Sequence, residues 1–211
     1  MSAGHRLVLD DVRIVLEGNT LLKLDAEIGP GEVYTVMGPS GSGKSTLLAY
    51  LAGFLAPAFQ ASGRVLLDGH DITRLPAERR GIGLLFQDPL LFPHLSVAGN
   101  LRFGMPNAAP DKAGQIEAAL ERIGLAGFGQ RDPATLSGGQ KARVALMRLL
   151  LSTPRAVLLD EPFSKLDRPL RHDMRRLVFD RLREAGLPSL LVTHDREDAE
   201  DAGGRVIKLS H

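Results

Sequence analysis

The chain has no cysteine. It therefore forms no disulfide, no thiolate metal site and no thiol nucleophile. Such a composition fits a reducing compartment without requiring one. Aromatic residues make up only 5% of the sequence, and the first of them is Tyr34. An excess of one charge is also lacking: 26 Lys and Arg stand against 25 Asp and Glu, for a net charge of +1. That balance gives no electrostatic reason to expect nucleic acid or an anionic membrane as partner. No uninterrupted apolar run approaches the ~18 residues of a bilayer span. The start, MSAGHRLVLDDVRI, has no basic segment followed by a long apolar one, which argues against a cleaved signal.

What is present is a globular composition, 44% hydrophobic and 24% charged over 211 residues. This is enough for one sizeable core with an inserted or appended subdomain. Alternation in RLVLDDVRIVL and LLKLDAEI predicts two antiparallel strands at the start. GEVYTVMG then reads as a buried strand entering a glycine-rich turn, and KSTLLAYLAGFL as the helix that follows. GRVLLDG and IGLLFQD read as further strands. From Asp88 to Leu151 proline and glycine turns separate helical pieces, QIEAALERIGL and GQKARVALMRLLLS among them. RAVLLDEP and PSLLVTHD return to the buried-strand pattern. Between them RPLRHDMRRLVFDRLREAG carries Leu170, Met174, Leu177, Val178 and Leu182 on one stripe, with its arginines expected on a solvated face. GRVIKLS closes the pattern. The expected fold is α/β, with a mostly parallel sheet, N-terminal antiparallel strands and an inserted helical subdomain. The expected boundaries are 1–87 and 152–211 for the core and 88–151 for the helical part.

Two motifs carry chemistry. In GPSGSGKST, Gly38, Gly41 and Gly43 let backbone N–H groups curl around phosphates, with Pro39, Ser40, Ser42 and Thr46 completing the loop. The helix that follows points its positive end at the same anion. Lys44 would reach the outer phosphates and the Ser45 hydroxyl would ligate Mg²⁺. The loop alone does not separate an ATPase from a GTPase or a small-molecule kinase. In VLLDEP an apolar strand delivers two carboxylates to the edge where α/β ligands bind: Asp160, suited to Mg²⁺, and Glu161, placed to orient or deprotonate a water.

A third motif, LSGGQ at Leu136 to Gln140, lies between these two, and with it the chain resembles the ATP-binding subunits of ABC transporters from about Leu7 to Leu209. Smaller matches support the resemblance. They are Gln87 in LLFQD, Asp167 in SKLD (the family more often shows SALD) and His194 in VTHD. His5, His70, His94, His172 and His211 are assigned ordinary structural or solvated roles. The resemblance implies a P-loop ATPase using ATP and Mg²⁺, with Glu161, His194, Gln87 and Lys44 catalytic. Ser45, Asp160 and Gln87 would serve the metal. It further implies a head-to-tail pair, a homodimer or a paired ATPase subunit. In it Ser137, Gly138, Gly139, Gln140 and Asp167 of one copy would meet the nucleotide held by the phosphate loop of the other. A triphosphate bridging two donor sets glues two domains until hydrolysis removes the charge.

Two departures from the family pattern stand out. The aromatic residue on which adenine usually stacks, upstream of the phosphate loop, is missing: the position falls near Val15 or Leu16, so the base is expected on an aliphatic surface. The sequence also stops at His211, soon after GRVIKL, which gives the expectation of a minimal motor without a regulatory domain. LFQDPLLFPHLSVAGNLRFGM resembles bacterial importers of the thiamine, iron, sulfate, molybdate or polyamine type. There Phe86, Leu90, Leu91, Phe92 and Leu95 would either face a coupling helix of a membrane permease or pack the helical subdomain. The implied assembly sits on the cytoplasmic face of the inner membrane, with permease subunits and a solute-binding protein and no nucleic acid. The competing readings are an export or lipoprotein-releasing complex and a soluble ATPase acting on ribosomes or DNA. The latter class brings tandem cassettes, coiled-coil insertions or basic extensions, none of which is present. A small-molecule kinase would need no LSGGQ segment.

Overall fold

The computed structural model describes residues 4–39 and 41–209. In chain order its elements are β1 (Leu7–Leu16), β2 (Asn19–Ile28), β3 (Val33–Met37), α1 (Lys44–Ala52), β4 (Phe59–Leu67), β5 (His70–Asp71) and β6 (Ile82–Leu85). There follow α2 (Val97–Gly104), α3 (Lys112–Arg122), α4 (Gly138–Leu151), β7 (Ala156–Asp160), α5 (Arg168–Glu184), β8 (Ser189–Thr193), α6 (Arg196–Ala202) and β9 (Val206–Lys208). Two compact units result. The first comprises Met1–Leu84, Arg155–Glu161 and Arg175–His211, and the second Leu85–Pro154 and Pro162–Met174. No helix among the described residues is long and apolar enough to cross a membrane.

In the first unit an antiparallel sheet has the order β2-β1-β4-β5. Strict alternation from Leu7 and Leu9 would bury Asp11. Instead the register shifts between Leu9 and Val12, so that Leu7, Leu9, Val12 and Ile14 all face inward. Asp11 takes φ +47° at this bulge. Gly63 opposite has φ +90°, and a Cβ there would stand 2.3 Å from the Asp11 carbonyl oxygen, so no other residue fits.

The second sheet has the order β6-β7-β8-β3-β9. VYTVM, AVLLD and SLLVT are buried almost throughout, as strands covered on both faces must be. Parallel register pairs Met37 with Thr193 and Asp160 with Val192. The carboxyl ends of β3, β7 and β8 therefore open side by side. One apolar cluster joins the inner face of the antiparallel sheet to Leu47, Leu48 and Leu51 of α1 and to Val36, Leu158 and Leu190 of the parallel sheet. Behind α1, the buried Arg80 guanidinium donates to Tyr50 O at 2.8 Å and Leu51 O at 2.9 Å, so it covers the carbonyls that end the helix.

The second unit is helical, with α2 packed on α4. The buried Asn100 side chain binds both backbone groups of Phe92, at 2.8 and 3.1 Å. Arg148 donates to Leu90 O at 2.9 Å and Pro89 O at 3.1 Å, which fastens the stretch leading into α2.

Along α5, Met174, Val178 and Leu182 are buried as the periodicity predicts, and Phe179 joins them. The arginines depart from expectation at one point: Arg175 is only 3% exposed. It precedes Val178, Phe179 and Leu182 by three, four and seven positions and so shares their stripe.

Asp68, in the turn between β4 and β5, links that sheet to the start of β7. Its carboxylate accepts from Arg6 N at 2.8 Å, from Arg155 Nε at 3.0 Å, and pairs with His5 Nδ1 at 2.8 Å. Burial pushes its pKa up, but the Arg6 amide, Arg155 and His5 outweigh burial and hold it at about 2. The folded value lies below the ordinary 3.8, so the charged form stabilises the fold. That contribution is complete above about pH 4 and is lost as pH falls through about 2. Asp68→Asn should lower stability at neutral pH by about 1–2 kcal/mol, with allowance for solvent screening. It should also flatten the acid limb, measured by urea unfolding from pH 7 to pH 2.

Candidate functional site

Between β3 and α1 the chain turns through Gly41 and Gly43, both at φ +85°, a conformation glycine adopts without a side-chain penalty. A Cβ on Gly41 would meet nothing within 4 Å, whereas one on Gly43 would stand 2.8 Å from Cγ of Leu21. The loop is thus braced on the β2 side and open at Gly41. The buried Lys44 donates through Nζ to Gly38 O at 2.8 Å and Pro39 O at 2.7 Å, which uses two of its three donors. α1 begins without a side-chain cap and without an acidic residue in its first turn. Its first amides and its positive pole face the loop, and among the described residues no side-chain oxygen caps them, as a phosphate site requires. Ser42 N closes the turn on Pro39 O at 3.3 Å, and Thr46 lies in the first turn of α1. Ser40 lies outside the described residues.

Neighbouring strands bring the remaining groups. The Ser45 hydroxyl donates to Asp160 Oδ1 at 3.3 Å. Burial pushes the Asp160 carboxyl up; Glu161 adds to this, while Ser45 and Lys44 counter it. A divalent cation would relieve the same desolvation, so the pair fits one. Among the described residues no three His, Cys, Asp or Glu side chains converge on a metal site. A hydroxyl and one carboxylate suit Mg²⁺, which takes its other ligands from phosphate and water. Glu161 follows β7 at φ +44°, a strained value for a residue with a side chain. Its amide is held by Val192 O at 2.9 Å, and its Oε1 lies 3.0 Å from Nδ1 of the exposed His194. Lys44, Ser45, Asp160, Glu161 and His194 thus form one row across three strand ends of the first unit.

The other predicted residues belong to the second unit. Gln87 is exposed just beyond β6. Ser137 caps α4: its Oγ accepts from Gln140 N at 3.3 Å, and Gln140 Oε1 accepts from Ser137 N at 3.0 Å. Gly138 and Gly139 differ in a way their pairing in sequence hides. A Cβ on Gly138 would meet nothing within 4 Å, but one on Gly139 would stand 2.5 Å from Leu170. Gly138 keeps an approach to the helix end open, and Gly139 makes room for α5. Asp167 accepts from Leu170 N at 3.1 Å and so caps α5. Of the apolar residues around Gln87, Phe86 and Leu90 are exposed, whereas Phe92 is half-buried against Phe103 at 4.5 Å between ring centres.

Sequence reasoning missed the surroundings of Val15 and Leu16. Strand pairing sets Val15 opposite Gln60 and Leu16 opposite Phe59, the first residue of β4. Directly opposed residues share a face of the sheet, so an aromatic ring neighbours the aliphatic position after all. Only the register between β1 and β4 could have revealed it.

A family profile described as ABC transporter matches residues 21–164. The chain is 47% identical over 184 residues to an uncharacterized ABC transporter ATP-binding protein, YnjD, of Escherichia coli K12, covering 86% of this chain and 85% of that one. It is 46% identical over 204 residues to the thiamine import ATP-binding protein ThiQ of Cereibacter sphaeroides, covering 95% and 87% respectively. Among solved structures it resembles cbiO1 of Clostridium perfringens, part of the ABC transporter complex cbiONQ. The TM-score is 0.83 at 30% identity, over 96% of this chain and 84% of the other.

Base–aromatic stacking contributes about 1–3 kcal/mol, so Leu16→Tyr should tighten ATP binding about fivefold or more. It should also widen the preference for ATP over GTP, read by titration with fluorescent nucleotides. Unchanged constants would show that the base does not rest on this strand.

Proposed function

The chain belongs to the ABC transporter family as an ATP-binding subunit with ATPase activity, and from that premise we propose that it powers solute import through separate permease subunits. The observation that carries the reading is the row Lys44, Ser45, Asp160, Glu161 and His194 across the ends of β3, β7 and β8. The loop amides and Lys44 hold the phosphates of ATP. Ser45 and Asp160 would hold Mg²⁺, as would Gln87 by the family resemblance, and the ion would supply positive charge to offset that of the phosphates. Glu161 accepts a proton from a water that attacks the γ-phosphorus, and the bond to the bridging oxygen breaks to leave ADP and phosphate. His194, within hydrogen-bond distance of Glu161, keeps that carboxylate aimed.

The capped N-terminus of α4 supplies a second donor set. Ser137 and the open approach at Gly138 would meet the γ-phosphate bound by a second copy or a paired ATPase subunit, and Asp167 would border the same joint. Two helix ends satisfy a triphosphate better than one, so the pair closes on ATP and parts when the bridging charge goes. The exposed Leu90 and Phe86 offer an apolar contact for a permease helix at the cytoplasmic face of the inner membrane. Similarity to a thiamine import subunit supports import over an export or lipoprotein-releasing complex, with a solute-binding protein completing the system.

Glu161→Gln should lower ATP turnover at least about a hundredfold while the protein still binds ATP. It should then form an ATP-dependent dimer on size exclusion; a variant that stays monomeric at saturating Mg-ATP counts against the paired site. Pull-down from solubilised membranes should recover an integral membrane partner. Recovery of ribosomes or nucleic acid instead would overturn the transport reading.

A further inference from the structure

Arg175 is a buried charge that the reaction described above leaves unused. It is 3% exposed, on a stripe of α5 where an apolar residue would fit. Its guanidinium fork spreads over the segment around His194. Nε donates to Asp198 Oδ1 at 2.5 Å and Nη2 to Asp195 Oδ2 at 3.2 Å. Nη1 reaches Glu197 Oε2 at 2.9 Å. Asp198, itself 2% exposed, accepts through its other oxygen from the Thr193 hydroxyl at 2.8 Å. That hydroxyl accepts in turn from Asp195 N at 3.0 Å. Thr193 and Asp195 are the two neighbours of His194 in the chain, and both are tied to the same guanidinium, one through Asp198 and one directly. His194 itself carries none of these bonds; its Nδ1 lies 3.0 Å from Glu161 Oε1.

We infer that Arg175 is a positioning residue for hydrolysis: with Asp198 it clamps the backbone on both sides of His194 and so sets the aim of the Glu161–His194 pair. The inference rests on the proposed roles of Glu161 and His194. Two features favour it over a purely stabilising ion pair. A buried charge pair is a poor source of stability, since well-packed apolar side chains of similar volume usually serve as well or better. The network, which also meets Glu197 and Asp201 of α6, reaches both flanks of His194: Asp195 directly, and Thr193 through Asp198. A lysine could supply the charge but not the fork, because its one ammonium cannot serve Asp195 and Asp198 with the same planar geometry.

The test compares kcat and KM for Mg-ATP, ATP affinity and Tm in the full chain for Arg175→Lys, His194→Ala and the two combined. Displacing a reacting group by about 1 Å costs up to about a hundredfold, so Arg175→Lys should lower kcat about tenfold or more. KM and ATP affinity should stay within about threefold of the parent protein. In the His194→Ala background the same change should cost nothing further, since a residue that acts through His194 has no additional effect once His194 is gone. A second variant separates folding from aim. Arg175→Met combined with Asp198→Leu removes both buried charges and should regain Tm but not kcat. Equal losses of kcat in both backgrounds would overturn the inference, as would full kcat in the apolar pair. If His194→Ala alone leaves kcat unchanged, the role of His194 falls first and the inference falls with it.

Discussion

The chemistry of this protein depends on the parallel register of β3, β8 and β7. Met37 lies beside Thr193, and Val192 beside Asp160. Strand ends in register present whatever follows them to a common volume, and here these are a phosphate loop, a histidine and two carboxylates. Residues more than a hundred positions apart, such as Ser45 and Asp160, come within hydrogen-bond distance only by this means. The apolar character of VYTVM, AVLLD and SLLVT therefore sets the placement of these groups as well as the fold. Ser189 and Thr193, polar residues that do lie in those strands, have partners of their own: Ser189 donates to Leu187 O at 3.1 Å and Thr193 to Asp198 Oδ2 at 2.8 Å.

Two helix N-termini in the chain are finished in opposite ways, and the difference matches the roles proposed for them. α1 has no side-chain cap, and Lys44 occupies only loop carbonyls, so the amides of its first turn stay available to an anion. α4 has a complete capping box from Ser137 and Gln140. A helix that must hold its shape without ligand benefits from that cap, worth about 1 kcal/mol. Ser137 accepts from Gln140 N, so its O–H donor is left over for a phosphate without loss of the cap.

Much of the architecture was legible because the strands are either strictly alternating or continuously apolar, and because glycine marks the turns with positive φ. β1, β3, β7 and β8 announce themselves in this way, and so does the phosphate loop. What escaped was carried by pairing across the chain. The bulge at Asp10 and Asp11 reads as an error in the alternation until Gly63 is placed opposite it. Phe59 became a neighbour of Leu16 only through register. α6 has the sequence REDAEDA, whose apolar content is too small to show a period. Three of its acidic residues, Glu197, Asp198 and Asp201, meet Arg175, a residue of another helix. Gly138 and Gly139 looked equivalent because a motif records identity and not burial.

Strain and rigidity are divided sharply around the reacting groups. Glu161 sits at φ +44°, a backbone state that costs a residue with a side chain of order 1 kcal/mol, and His194 is largely exposed. Neither residue would hold a definite geometry by its own packing. Immediately behind them Thr193, Asp198 and Arg175 are almost wholly buried and bonded to one another. The Glu161 amide is fixed to Val192 in the next strand. In the proposed mechanism exposure would let His194 reach substrate and water, while the buried layer behind it supplies order. A strained carboxylate at a strand end persists only where its surroundings over-determine it. The density of bonds behind Glu161 and His194 meets that condition.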